Sequence, residues 1–163
     1  MTKANEVSRY RFVMGFFIVA LIMSGLTAFP LQYELRLLCS MVGIAPGARF
    51  EDLSGLQQRI FFVRTGLDET YARYPFIGYG TDWLAFGHIV ISLFFIAPWR
   101  RPGSYQGNLI VGMVACLAII PLALICGAIR GIPFYWRLID CSFGVVGIVP
   151  LLYCWRIGKR LGV

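Results

Sequence analysis

Charge is scarce in this chain. Only 14% of its 163 residues are Asp, Glu, Lys or Arg, while 58% are hydrophobic. Soluble domains carry about 25% charged residues. The mean hydropathy of +0.72 leaves too little polar surface for a water-soluble globule. Lysine is scarcer still: Lys3 and Lys159 stand alone, so the positive charge is nearly all arginine. Histidine occurs once, at His88, which excludes bis-histidine haem ligation within a monomer. The five cysteines (39, 116, 126, 141 and 154) form no CxxC pair and no His/Cys cluster. That spacing argues against a zinc site or a dithiol redox motif. Four of them lie in apolar runs and read as small hydrophobes, leaving Cys39 as the one expected exposed thiol. No nucleophile–base–orienter triad and no metal-ligand spacing is present, so no cofactor, metal or catalytic residue is assigned.

Long apolar runs are what the chain does have. Four of them, at about 11–30, 81–99, 108–129 and 133–155, approach or exceed the roughly 20 residues that cross a bilayer as a helix. The first is too long for a signal-peptide core of about 7–15 residues, and Leu26-Thr27-Ala28 makes a poor cleavage site. It is expected to be a retained helix, with Ala20, Ser24 and Ala28 as a small-residue packing stripe and Pro30 ending it. The fold class expected is all-α: one membrane domain over 1–163, an integral four-helix bundle with a partly helical segment, 31–80, between spans 1 and 2.

Within that segment, Tyr33–Met41 reads as an amphipathic extension of the first helix, broken by Gly43, Pro46 and Gly47. Asp52 or Ser54 is placed to cap a further helix. Leu53, Leu56, Ile60, Val63 and Leu67 then recur at spacings of three and four. Such a helix belongs on the membrane surface or across the bundle mouth. Tyr71, Tyr74, Phe76 and Tyr79 read as an interfacial aromatic belt. Thr81-Asp82 is expected to open the second span and Pro98 with Arg100–Gly103 to close it. Pro121 should kink the third span. Ala123 and Gly127 form a small-xxx-small pair there. Gly131 breaks the chain, and Pro133 starts the fourth span, which carries Gly144, Gly147 and Pro150.

The net charge of +7 would suggest nucleic acid in a soluble protein. Here it sorts by topology, and no nucleic-acid partner is expected. Lys3, Arg9, Arg11, Arg100, Arg101, Arg156, Lys159 and Arg160 fall on one side, opposed by Glu6 alone. On the other side, seven arginines balance seven carboxylates. The positive-inside rule then places both termini and the 99–107 loop in the cytoplasm of a multi-pass cell-membrane protein, with 31–80 and the 130–132 turn outside.

Arg130 to Asp140, RGIPFYWRLID, is the most unusual stretch, because it carries Arg137 and Asp140 into the bilayer. Ionisable groups there cost several kcal/mol unless paired. His88 lies about seven residues into the second span and Asp140 about seven into the fourth, so both sit roughly 10 Å below the outer ends. Arg137 and Asp140, three residues apart, share a face, and Ser92 is one turn below His88. His88, Arg137 and Asp140 are the candidate cluster, with Asp82, Arg130 and Trp136 as further ligand-binding candidates. Two readings stand side by side. One is a hydrogen-bonded tie between helices. The other is a ligand, proton or acid–base site in which Asp140 is protonated unless Arg137 pairs with it. Asp82 is most simply a helix-start acid and Arg130 an interfacial anchor.

The strings Gly25-Leu-Thr-Ala-Phe-Pro30, Pro75-Phe-Ile-Gly-Tyr-Gly-Thr-Asp-Trp-Leu-Ala-Phe-Gly-His88 and Arg130-Gly-Ile-Pro-Phe-Tyr-Trp-Arg-Leu-Ile-Asp-Cys-Ser-Phe-Gly144 resemble a family of small, uncharacterised bacterial four-span integral membrane proteins. The resemblance covers most of the chain and implies an inner-membrane location, with no activity or site residue attached. The preferred functional reading is a non-enzymatic accessory, interaction or lipid- or small-ligand-binding protein. Its partners would be the lipid bilayer and a second copy or another membrane protein. The alternatives are an enzyme acting on a lipid-like substrate through His88, Arg137 and Asp140, and a small transporter. A transporter needs a polar path, yet the inner halves of the four runs lack ionisable residues.

Overall fold

A computed structural model describes residues 2–162. Among these residues the chain forms α-helices, one short 3-10 turn at Phe50–Asp52 and no strand. The helices are α1 (Lys3–Ala28), α2 (Leu31–Met41), α3 (Leu56–Arg73), α4 (Pro75–Leu93), α5 (Ile96–Arg100), α6 (Gln106–Ile129) and α7 (Phe134–Leu161). Four helical stretches are long and apolar enough to cross a membrane: Lys3–Ala28, Pro75–Arg100, Gln106–Ile129 and Phe134–Leu161. The apolar residues of these stretches mostly point outward, among them Phe12, Val111, Phe143 and Val146, each more than 60% exposed. Water would not tolerate such a surface, and lipid accounts for it. The protein is an all-α, four-helix membrane protein.

Several helix ends differ from expectation for local reasons. α4 starts at Pro75 rather than at Thr81, because a proline tolerates the first helical turn, where its missing N–H costs nothing. Thr81-Asp82 therefore lies inside the helix. α3 starts after Gly55, whose φ of +50° takes the chain into the helix without a side-chain cap from Asp52 or Ser54. The second span breaks at Phe94-Phe95, ahead of Pro98, which is buried within α5. α2 is a separate helix rather than an extension of α1, divided from it by Phe29 and Pro30. Pro121 and Pro150 are carried inside α6 and α7.

The chain forms two compact units. Among the described residues, one comprises 2–21 and 91–162, the other 22–90. In the first, α6 and α7 pack along their length. Gly112, Gly144 and Gly147 supply the close approach: a methyl group at Gly144 would collide with the Cys116 carbonyl oxygen, and one at Gly112 would come within 2.8 Å of the Phe95 ring. Tyr10, Met14 and Phe17 of α1 join Phe95, Leu109, Leu151, Cys154 and Ile157 in its core, with Phe17 and Phe95 edge to face at 5.0 Å. The Trp99 indole N–H donates to the Arg11 carbonyl at 3.0 Å, tying α5 to α1.

In the second unit α2 packs on α3 around Cys39, Ile44, Leu53 and Ile60. Cys39, expected to be exposed, is 1% exposed, whereas Cys126 on α6 is exposed. The reason is the end of α2. The Ile44 N–H returns to the Cys39 carbonyl at 2.9 Å and the Gly43 N–H to Ser40 at 3.1 Å, with Gly43 at φ +79°. This is a Schellman stop, which brings the residue after the glycine onto the helix's last buried turn. Ile44 thereby closes over Cys39. The same device ends α6, where Gly131 has φ +68° and the Ile132 N–H donates to Gly127 at 2.8 Å.

The last turns of α1 meet α4 in this unit through Gly25. A Cβ there would sit 2.7 Å from the Ala85 carbonyl oxygen and 3.1 Å from the His88 Cβ. The expected stripe is displaced accordingly: Ala20 and Ser24 are exposed, and the packed face runs Tyr10, Met14, Phe17, Leu21, Gly25. Large side chains reached the buried face, and one glycine rather than a small-residue series allows the contact.

Candidate functional site

Arg137 and His88 each have a backbone partner close by. Arg137 donates from Nη1 to the Leu124 carbonyl at 3.1 Å. Its stem lies against Gly127, where an added Cβ would come within 2.6 Å of Cδ, and its guanidinium carbon is 5.4 Å from the Phe134 ring centroid. Leu124 lies near the C-terminal end of α6, the negative end of the helix dipole, which favours a cation. Its carbonyl has a second lone pair to offer. The Arg137 Nε is buried without a hydrogen-bond partner. Asp140 is partly buried on the same helix. The ion pairs among the described residues are Arg36–Asp68, Arg64–Asp68 and Arg160–Glu6. They include none of Asp82, His88, Arg130, Arg137 or Asp140.

His88 belongs to the other unit, is partly buried, and has its Nδ1 2.9 Å from the Leu84 carbonyl oxygen. A carbonyl accepts only, so Nδ1 carries the proton and Nε2 is the acceptor nitrogen when the ring is neutral. Asp82 is partly buried inside α4. Arg130 is exposed at the C-cap of α6 and Trp136 is partly buried beside Tyr135. Ser92 is fully buried. For Arg137, the local geometry is that of a tie between α6 and α7.

Another cluster lies in the second unit, on residues the sequence left unremarked as a group. Asp68 on α3 accepts from the Gln32 amide at 2.8 Å. Its carboxylate also faces the Arg36 guanidinium at 3.7 Å and that of Arg64 at 3.6 Å. One carboxylate thus stands between two guanidiniums and leaves one positive charge over. Beside it, a cavity of about 270 Å³ is lined by Phe29, Pro30, Gln32, Tyr33, Arg36 and Tyr71. The Tyr71 wall is held from behind. The Thr81 hydroxyl donates to the Gly78 carbonyl at 2.7 Å, so the Tyr71 hydroxyl, 2.8 Å away, is the donor to Thr81. The Tyr71 ring lies against Gly78, its nearest atom 3.3 Å from where a Cβ would be. Pro30 caps α2 without a side-chain hydrogen bond.

This cluster had a sequence signal: Gln32/Arg36 and Arg64/Asp68 are both i,i+4 pairs, the spacing at which side chains on one helix face meet. What the sequence lacked was the pairing of the two faces. The arrangement offers an anion-accepting rim with aromatic walls. Among the described residues no three of His, Cys, Asp and Glu gather as a metal ion would require.

The fold defines an all-α membrane protein with four helices long and apolar enough to cross a bilayer. No family model, curated protein or solved structure matches the chain.

Proposed function

We propose that this is a non-enzymatic membrane protein whose α2–α3 layer is a binding surface lying against the lipid headgroups. The observation that carries this reading is the exposed apolar stripe of α2. Tyr33, Leu37 and Met41 are 67%, 51% and 76% exposed, and their i, i+4, i+8 spacing puts them on one face. The opposite side of the helix buries Cys39 against α3. A short helix that is apolar on both sides, two residues from the end of a membrane span, is suited to the interface between headgroups and acyl chains. Tyr33 supplies the amphipathic ring favoured there. The charge distribution supports an orientation with both termini cytoplasmic and the layer outside, in the cell membrane. The local partner of Arg137 favours scaffolding over chemistry.

With the exposed Cys126 replaced by serine, a polarity-sensitive fluorophore attached to cysteine at Leu37→Cys and, separately, at Ser54→Cys tests the reading in vesicles containing brominated lipid. Residue 37 should emit to the blue and be quenched by lipid, residue 54 less so. Water-like, unquenched emission at residue 37 would sink the proposal. Lipid-protected emission without bromine quenching would show instead that a protein covers the stripe.

A further inference from the structure

We infer that the cavity between the start of α2 and Tyr71 is a headgroup subsite for an anionic, phosphate-bearing amphiphile, with Arg36 as its cation. The inference deepens the proposed function and rests on its placing of the layer at the lipid surface.

Four observations converge. The first is size. About 270 Å³ falls just short of the 300–1,000 Å³ range of drug-sized pockets. It is too small for a whole lipid and roomy for a phosphate with its esterified glycerol. The second is charge. Asp68 is shared by Gln32, Arg36 and Arg64, so the wall carries one cation beyond its carboxylate. Of the two arginines, only Arg36 lines the cavity, and its side chain is 59% exposed, against 32% for Arg64. It is therefore oriented by Asp68 on one side and open to a ligand on the other. A guanidinium carries donors enough to keep the carboxylate and take a phosphate oxygen. Glu34 lies about 200° round α2 from Gln32 and does not compete for that anion.

The third observation is the wall chemistry. Phe29, Pro30, Tyr33 and Tyr71 present carbon to the ligand's glycerol and upper acyl carbons. The phenol of Tyr71 is committed to Thr81, so this wall contributes an aromatic surface held in place. The fourth is position. Phe29 and Pro30 are the two residues joining the first span to α2, so the cavity opens where a lipid phosphate would lie.

The test is native mass spectrometry of the full chain released from bilayer discs containing equal phosphatidylglycerol and phosphatidylcholine. The wild type should retain phosphatidylglycerol preferentially, by about tenfold, the equivalent of one retained charge contact. Arg36→Gln should bring the two lipids close to parity, and Arg36→Lys should keep part of the preference. Arg101→Gln, which removes a cation remote in sequence and outside the cavity lining, should leave the preference unchanged. That control matters because the termini and the 99–107 loop also carry many cations. Should Arg36→Gln fail to fold, Tyr33→Ala removes a largely exposed wall and should weaken retention of both lipids.

Millimolar inorganic phosphate separates the sources. If it abolishes the preference, the site takes free phosphate, and the lipid assignment is overturned. An unchanged preference in folded Arg36→Gln, or unchanged retention of both lipids in Tyr33→Ala, overturns the site altogether. Bromine quenching at residue 37 without any headgroup preference leaves the proposed function standing and removes this inference. An Arg36-dependent preference with residue 37 in water overturns the proposed placement and the headgroup assignment with it, leaving an anion site that a lipid reaches only outside the bilayer plane.

Discussion

The Arg137 side chain crosses from α7 to α6 and ends on the Leu124 carbonyl, 3.1 Å away, with its methylenes on Gly127. A partly buried arginine is thereby anchored by a backbone acceptor rather than by the nearest carboxylate in sequence, Asp140.

Replacing Arg137 by Met keeps the stem and removes the donor. Interhelical hydrogen bonds in membranes are worth about 0.6 kcal/mol on average and at most about 1.7. Arg137→Met should therefore lower stability by roughly 1 kcal/mol in detergent unfolding. Gly127→Ala should cost about 1–3 kcal/mol by overpacking the same stem. Asp140→Asn, which replaces an acid with no ion-pair partner among the described residues, should leave stability unchanged or raise it. A loss of more than about 2 kcal/mol in Asp140→Asn would show a pairing that this geometry does not contain.

Gly25 and Ser24 make a sharper contrast, because they are neighbours on α1. A methyl group at Gly25 meets backbone, the Ala85 carbonyl oxygen at 2.7 Å, and backbone cannot swing aside as a side chain can. Gly25→Ala should destabilise by about 1–3 kcal/mol, while Ser24→Ala, on the exposed face, should stay within about 0.5 kcal/mol. Equal effects in thermal unfolding would mean that the face of α1 is assigned wrongly.

Asp68→Asn should loosen the α2–α3 layer locally. It removes the carboxylate common to both ion pairs and leaves the Arg36 and Arg64 guanidiniums without it. With the carboxylate about a third exposed, the pairs are screened, so the loss is on the order of 1 kcal/mol. Amide exchange in α2 should quicken while that in α6 and α7 does not. Arg36→Gln should affect exchange less, since Gln32 and Arg64 still hold the carboxylate.

Cys39 should resist alkylation until the layer opens. In a variant that keeps Cys39 alone, a thiol reagent in native detergent solution should react slowly, and denaturant should raise the rate by orders of magnitude. Rapid native labelling would contradict its 1% exposure.

The spans, their number and the helical content were readable from apolar run length, because the bilayer sets that length independently of tertiary packing. Helix starts were less readable. Thr81-Asp82 has the chemistry of a cap, yet Pro75 starts the helix six residues earlier, and nothing in the residues between stops it from propagating. The stripe Ala20, Ser24, Ala28 is as good a packing motif in sequence as Tyr10, Met14, Phe17, Leu21, Gly25. Which face is buried depends on the partner helix, and that is information from outside the stretch. Cys39 looked exposed because its segment is polar; the turn at Gly43 that folds Ile44 over it depends on one positive φ. The polar residues inside the membrane drew attention because each is costly alone. The Asp68 group was missed because its members are ordinary surface residues until α2 and α3 are brought together.

The joint at Phe29-Pro30 has a mechanical consequence. Two residues between α1 and α2 allow at most roughly 10 Å between the helix ends, so the first span acts as a depth stop for everything attached to α2. A helix responds to a bilayer of different thickness by tilting or by shifting its ends relative to the headgroups. Any such shift in α1 carries Tyr33, Leu37 and Arg36 with it. With the layer at the lipid headgroups as proposed, its depth is geared to membrane thickness, and lengthening the acyl chains in vesicles should change the emission at residue 37 before it changes that of a label placed beyond the loop at residue 54.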